Sequence, residues 1–270
     1  MVSASPTTSS DAIPRRFEAL RALGRRALIP YITAGHPDAA RSVALLQGLE
    51  AAGADIVEVG VPFSDPMADG PVIQASSQRA LEQGMSFDGT LELIARARLG
   101  IPVVLFTYLN PILAAGDDAL RRAAEAGAHG VLVTDLPVGA DPERERWFGE
   151  GPLAFIRLVA PTTPAARMSE IARHGGGFVY LISRLGVTGA RDALPADLGE
   201  TVARLRAATT LPICVGFGIS QPAQAAAVAA LADGVAVGSA LVARADRSID
   251  DALELARSLR TAIDDACARS

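Results

Sequence analysis

Short apolar runs rich in β-branched residues recur along the chain, each closing near Gly, Pro, Thr or Ser. They are ALIPYIT (27–33), ADIVEVG (54–60), IPVVLFT (101–107), HGVLVTD (129–135), PLAFIRLVA (152–160), GFVYLIS (177–183), LPICVGFG (211–218) and DGVAVG (233–238). They are almost continuously hydrophobic instead of alternating, the mark of parallel strands buried on both faces. Between them lie Ala, Leu, Glu and Arg stretches with helical spacing, such as DAARSVALLQGLEAAG, DDALRRAAEAG and QPAQAAAVAALA. Several end at a glycine suited to a helix C-terminus, Gly53 and Gly127 among them. Eight strand–helix alternations in about 250 residues predict an α/β protein, a single (β/α)8 TIM barrel.

Two gaps exceed what a simple crossover needs, from Gly60 to Ile101 and from Ser183 to Leu211. Both follow the carboxyl end of a strand, the face where long loops build a barrel's site. The remaining gaps read as economical. An extra helix, roughly Pro14 to Leu23, precedes the first strand and could plug the opposite end. Residues 1–13 read as a disordered tail and 14–270 as one barrel, with no linker or change of composition dividing it.

Half of the 270 residues are hydrophobic, so a large core can form. The formal charge is −5 and no basic stripe is visible, which argues against nucleic acid. A local site could still be positive and take an anionic substrate. Cys214 and Cys267 make no disulfide framework, which fits a reducing compartment. The first residues, MVSASPTTSSDAIPRR, lack the apolar core of a signal peptide, and no run of 18 apolar residues predicts a membrane span.

VEVGVPFSDPMADG (57–70) breaks the apolar pattern with an acid. With period two, Glu58 faces opposite to Val57 and Val59. If the valines meet the outer helices, Glu58 points into the barrel near its top. Burial there should raise its pKa and make it usable as an acid near neutrality; a buried ion pair is the structural alternative. Asp69 lies on the following loop, either as a turn or capping residue before a helix near Pro71, or as the second carboxylate of a site. Asp65 is a third carboxylate or a turn former before Pro66. Three glycine-containing segments follow strands six, seven and eight: GVTGA (186–190), VGFGIS (215–220) and AVGSAL (236–241). Together they predict a phosphate cradle, to which Ser239 can add a hydroxyl. His129 and His174 read as structural, and the three histidines and two cysteines are too scattered to predict a metal site.

VEVGVPFSDPMADG resembles the signature of the tryptophan synthase α chain family. IPYITAGHPD, DLP, VAPTTP, SRLGVTG and VGFGIS resemble the same family, and the similarity spans roughly residues 14 to 265. The resemblance implies a single barrel that cleaves indole-3-glycerol phosphate to indole and glyceraldehyde 3-phosphate, with no cofactor and no metal. It implies a cytoplasmic protein acting with a tryptophan synthase β chain in an α2β2 assembly. A stand-alone lyase and a non-catalytic barrel that binds a phosphorylated ligand are the alternatives. Carried over by position, Glu58 and Asp69 are catalytic. Tyr180 lines the site, Thr188 supports Asp69, and Gly189, Gly218, Gly238 and Ser239 form the cradle. Tyr31, Phe106 and Phe217 fall at apolar lining positions, and Ile73 joins Phe106 and Phe217 around an indole ring. His36, Leu185, Phe106 and Leu109 depart from the familiar pattern. The loops 61–70 and 108–117 are the expected docking surface.

Overall fold

A computed structural model describes residues 9–183, 194–216 and 218–269. Its eight strands are β1 (Ala27–Thr33), β2 (Val57–Gly60), β3 (Val103–Thr107), β4 (Gly130–Val133), β5 (Ala154–Val159), β6 (Val179–Ile182), β7 (Ile213–Gly216) and β8 (Gly234–Val237). All neighbours pair in parallel and β1 closes on β8, giving a TIM barrel with each strand inside its expected run. The continuous apolar runs are explained by two cores. Leu28, Ile32, Val57, Val59, Val103 and Leu105 face outward to the helices. Ile29, Tyr31, Val104, Phe106, Ile156 and Tyr180 fill the interior.

The extra helix begins at Ala12, earlier than expected, after a short 3-10 turn at Ser9–Asp11. Of the tail expected over 1–13, residues 9–13 are therefore helical, while 1–8 lie outside the described residues. Ile13, Phe17 and Leu20 bury their side chains with the interior residues, and the Phe17 ring sits 5.8 Å from that of Phe178. This helix plugs the amino end. Its apolar side chains gain more by entering that opening than the chain loses in ordering its start.

The long gap after β2 holds a loop over 61–70 and two helices, Pro71–Glu82 and Phe87–Ala97. The gap after β3 is not economical as expected. It carries Leu109–Ala115 as well as Ala119–Glu125. Pro111 sits in the first turn of the former, where its missing N–H costs no helical bond. The Leu109 N–H donates to Asp135 at 2.7 Å, tying this helix to the loop after β4. The segment after β6, residues 184–193, lies outside the described residues, and the chain resumes before helix Leu198–Ala208.

Candidate active site

Glu58 stands in the middle of β2, with Tyr31 of β1 and Val104 of β3 as its register partners. Its side chain enters the barrel and is 1 % exposed. The Oε1 atom has no hydrogen-bond partner. Burial pushes its pKa up to about 8. At neutral pH this carboxyl therefore holds its proton, because among the described residues nothing positive faces it to favour the charged form.

Asp69 arrives from the loop after β2. It does not cap the helix that follows, since Gly70 occupies the N-cap position and Pro71 the first turn. The loop is fixed through its backbone: the Asp69 N–H donates to the Pro66 carbonyl at 3.0 Å, and Gln74 Nε2 donates to the Asp69 carbonyl at 2.9 Å. This frees the carboxylate to turn inward, where it is 8 % exposed. The Tyr108 hydroxyl donates to Asp69 Oδ2 at 2.9 Å. Burial raises the Asp69 pKa to about 6, against the opposing effect of that hydrogen bond.

Sequence reasoning missed Tyr108 as a site residue and placed it only on a docking loop. Its hydroxyl also accepts from the Ala68 N–H at 2.9 Å, and its ring lies 5.1 Å from Phe63. It holds the 61–70 loop and the carboxylate of that loop together. Burial and the neighbouring Asp69 raise its own pKa. The Tyr in LFTYLNP carried no distinguishing signal, because nothing in one sequence shows that β3 ends beside Asp69.

One cavity gathers Glu58, Asp69, Tyr31, Ile73, Phe106, Tyr180, Gly218, Gly238 and Ser239, with Ile219 and Ala236 added to the expected set. The Phe106 ring meets Tyr31 edge-on at 5.4 Å and lies 6.5 Å from Tyr180, so the slot is aromatic on three sides. Gly218 has φ +81°, a left-handed conformation that glycine alone adopts without strain. Ser239 opens the short helix Ser239–Ala245. Thr188, Gly189 and Phe217 lie outside the described residues, as does Leu185.

Asp65 is exposed and accepts from its neighbour Ser64 at 2.6 Å; it shapes the turn and takes no part in the cavity. His36 is buried in the loop after β1, with Nε2 3.7 Å from Asp246 at the far end of the helix that Ser239 opens. His129 Nδ1 accepts from the Val103 N–H at 3.2 Å, and His174 terminates helix Ala165–Arg173. A wider groove along Arg146, Glu150, Arg173 and His174 lies outside the barrel wall. Its buried carboxylate, Glu145, is already paired with Arg157 at 2.9 Å, so it lacks the reactive acid that the smaller inner cavity holds. Among the described residues no three His, Cys, Asp or Glu side chains come together to hold a metal ion.

The family model described as tryptophan synthase alpha chain matches residues 17–267. The chain belongs to the tryptophan synthase alpha chain family. It is 47% identical over 270 residues to the tryptophan synthase alpha chain of Caulobacter sp. strain K31, covering 94% of this chain and 98% of that relative. With the alpha chain of Gluconacetobacter diazotrophicus the identity is 49% over 247 residues, 88% of each chain. Among solved structures, the tryptophan synthase subunit alpha of Legionella pneumophila superposes with a TM-score of 0.87 at 37% identity, covering 96% of this chain and 99% of that one. Mycobacterium tuberculosis tryptophan synthase gives 0.86 at 38% identity, covering 93% and 97%. The barrel described above is thus the fold of the tryptophan synthase alpha chain family, and the Glu58–Asp69 cavity lies at its carboxyl end.

Proposed function

We propose that the chain is the α subunit of a tryptophan synthase and a carbon–carbon lyase, cleaving indole-3-glycerol phosphate to indole and glyceraldehyde 3-phosphate. One observation carries the residue roles. Two carboxylates with no cationic partner among the described residues share an aromatic cavity, and the more buried one holds its proton at neutral pH. A retro-aldol cleavage first needs a proton on C3 of the indole, and Glu58 is the acid that delivers it. Positive charge then develops at the ring nitrogen. Asp69, largely ionised at neutral pH, accepts the indole N–H and stabilises that charge. The Glu58 carboxylate left behind takes the proton of the glyceryl hydroxyl as the C–C bond breaks. The bond electrons pass into the indole ring and the hydroxyl carbon becomes the aldehyde. Ile73 and Phe106, with Phe217, hold the ring, while Tyr180 lines the slot. Gly218, Gly238 and Ser239, with Thr188 and Gly189, hold the phosphate end and place the reacting carbon.

The partner is a tryptophan synthase β chain in an α2β2 assembly, which consumes the apolar indole before it escapes. Met67 supports this reading: it is 81% exposed, the most of any large hydrophobic side chain among the described residues, and sits beside Asp65 and Pro66 on the loop that carries Asp69. A contact there would reach the catalytic carboxylate through a few backbone bonds. Cytoplasmic placement accords with a biosynthetic enzyme and with the lack, among the described residues, of a helix long and apolar enough to cross a membrane. The test is indole release from indole-3-glycerol phosphate by the purified chain, alone and with a β chain. Slow release that the β chain accelerates is expected. Release at full speed with no response to a β chain would identify a stand-alone lyase, and none under either condition would leave a ligand-binding barrel.

A further inference from the structure

His36 is a buried side chain that the Glu58–Asp69 chemistry does not use. It is 4 % exposed, and neither ring nitrogen has a hydrogen-bond partner among the described residues. Buried polar side chains rarely go unpartnered, and an imidazole offers two nitrogens to pair. The backbone around it, by contrast, is fastened at three points. The His36 N–H donates to the Thr33 carbonyl at 3.1 Å, Ser42 Oγ donates to the His36 carbonyl at 3.0 Å, and Gln83 Nε2 donates to the Pro37 carbonyl at 2.9 Å. The ring is therefore held in place without being satisfied.

The ring faces one acid. Nε2 lies 3.7 Å from Asp246 Oδ1, too far for a hydrogen bond but within reach of an ion pair. Asp246 ends the helix Ser239–Ala245. The same Oδ1 accepts from Arg79 Nη1, on the helix Pro71–Glu82. Three elements thus meet at one oxygen, and each also lines the inner cavity: β1 through Tyr31, the Arg79 helix through Ile73, and the Asp246 helix through Ser239. Asp246 and Arg79 are half-exposed, so they can shift where the ring cannot. They are the charged groups that face His36. Asp38, the acid on the same loop, is turned to the helix Ala39–Ala51, where it accepts the Arg41 N–H at 2.8 Å. Burial holds the His36 pKa below the ordinary histidine value, with Asp246 opposing and Arg79 adding to that effect. The ring is neutral at neutral pH and takes a proton only in acid.

We propose that His36 is a proton-gated latch: its protonated ring draws in Asp246 and so fastens the loop after β1 to the helix that opens at Ser239. With the ring neutral, Arg79 holds Asp246 and the gap to Nε2 stays open. A proton on the ring creates a buried charge that must be paired. The ring is fixed and Asp246 is half-exposed, so the acid is the group that moves. The helix is then held at its far end from two sides, which leaves Gly238 and Ser239 less free at its start and favours an anion in the cavity. Only this last consequence rests on the phosphate cradle proposed above.

The chain has three histidines, so in an NMR titration of the full protein His36 is assigned by the signal lost in His36→Gln. Asp246→Asn, at a half-exposed position that tolerates it, should lower the His36 midpoint. Arg79→Gln removes both a cation and a competitor for Oδ1 and should raise it. Midpoints that neither variant moves would overturn the latch. The effect on the cavity is read with inorganic sulfate, which keeps its double charge between pH 8 and pH 5. Affinity should rise over that range in every variant as Glu58 and Asp69 take up protons. In the wild type it should rise about threefold further than in His36→Gln, the scale of one partly exposed ion pair. In an Asp246→Asn background, chains with and without His36 should rise alike. An equal rise with and without His36 in the wild-type background, or an excess that survives in Asp246→Asn, would overturn the latch. Sulfate that binds at neither pH would instead overturn the phosphate cradle, and the histidine midpoints would then decide the latch.

Discussion

Asp55 and Glu58 are three residues apart, equally buried at 1 % exposure, and opposite in character. Asp55 precedes β2 at the amino end of the barrel. It accepts from Arg16 Nη2 at 2.6 Å, from Arg260 Nη1 at 2.8 Å and from the Leu28 N–H at 2.9 Å. Arg260 comes from the last helix, Ile249–Ala268, and also binds Asp264 and the Arg26 carbonyl. The acid at the amino end thus ties the first helix, the β1–β2 wall and the last helix into one unit. Glu58, one short stretch of strand higher, meets no arginine among the described residues and leaves an oxygen unpartnered. Burial alone does not make an acid reactive. The partners decide whether it is held as a charge for structure or as a neutral acid for chemistry.

Removing each acid should separate these roles in opposite directions. Glu58→Gln should cut turnover by about 10² to 10⁴, the usual contribution of one acid–base group. It should also stabilise the fold above acidic pH. The folded Glu58 keeps its proton up to about 8, whereas an unfolded glutamate releases it near 4.5. Unfolding between those values releases a proton, so wild-type stability falls as pH rises through that window, by ~1.4 kcal/mol for each unit of pKa shift realised. Gln has no such dependence. Urea unfolding at pH 5 and pH 8 should show the variant gaining on the wild type at the higher pH. Parallel stabilities would remove Glu58 from the ledger of buried neutral acids.

Asp55→Asn should do the reverse, costing on the order of 3–5 kcal/mol because two arginines lose their shared acid at the barrel base. The folded fraction should keep its turnover. A loss of turnover without a loss of stability would mean that the two ends are not separable in this way.

How much of this contrast the sequence reveals depends on the range of the interactions. The strands are legible because burial on both faces leaves continuous apolar runs, and Glu58 is legible because it interrupts one. The period-two argument places it correctly inside the barrel, opposite Val57 and Val59. The local pattern leaves Asp69 open between a turn residue and a second carboxylate, and only the family resemblance makes it catalytic, since its orientation depends on Gln74 and Tyr108. Tyr108 is invisible as a site residue because its bond to Asp69 spans 39 positions. The helix Leu109–Ala115 is hidden by Asn110-Pro111, which looks like a turn until Asp135 supplies a partner for its first N–H. Asp55 gives no warning either, because its arginines come from positions 16 and 260.

Tyr108→Phe sharpens the comparison within the upper site. The hydroxyl bond is the one influence that lowers the Asp69 pKa against burial. Without it the midpoint should rise above about 6, and Asp69 would be partly protonated at neutral pH. Turnover at pH 7 should fall roughly tenfold, matching the loss of one hydrogen bond to a charged group. Taken as a ratio to the wild type at each pH, because Glu58 itself titrates at about 8, it should recover in part at pH 8, where Asp69 ionises again. A loss of turnover independent of pH would mean that Tyr108 shapes the loop without tuning the carboxylate.

The smallest effect compares two serines. Ser239 lines the inner cavity, whereas Ser9 at the amino end donates to the Ala128 carbonyl at 2.6 Å. Ser239→Ala removes a hydroxyl donor from the proposed cradle. Affinity for glyceraldehyde 3-phosphate or inorganic phosphate should fall about three- to tenfold, with the melting temperature nearly unchanged, since one lost bond to an anion is worth one to two kcal/mol at most. Ser9→Ala should leave phosphate affinity alone and lower stability by about 1 kcal/mol, because a buried carbonyl loses its partner. Calorimetric titration and urea unfolding of both variants read the two effects separately. Equal losses of phosphate affinity would place the cradle elsewhere, since a serine at the far end of the barrel cannot touch the ligand and would act only by loosening the fold.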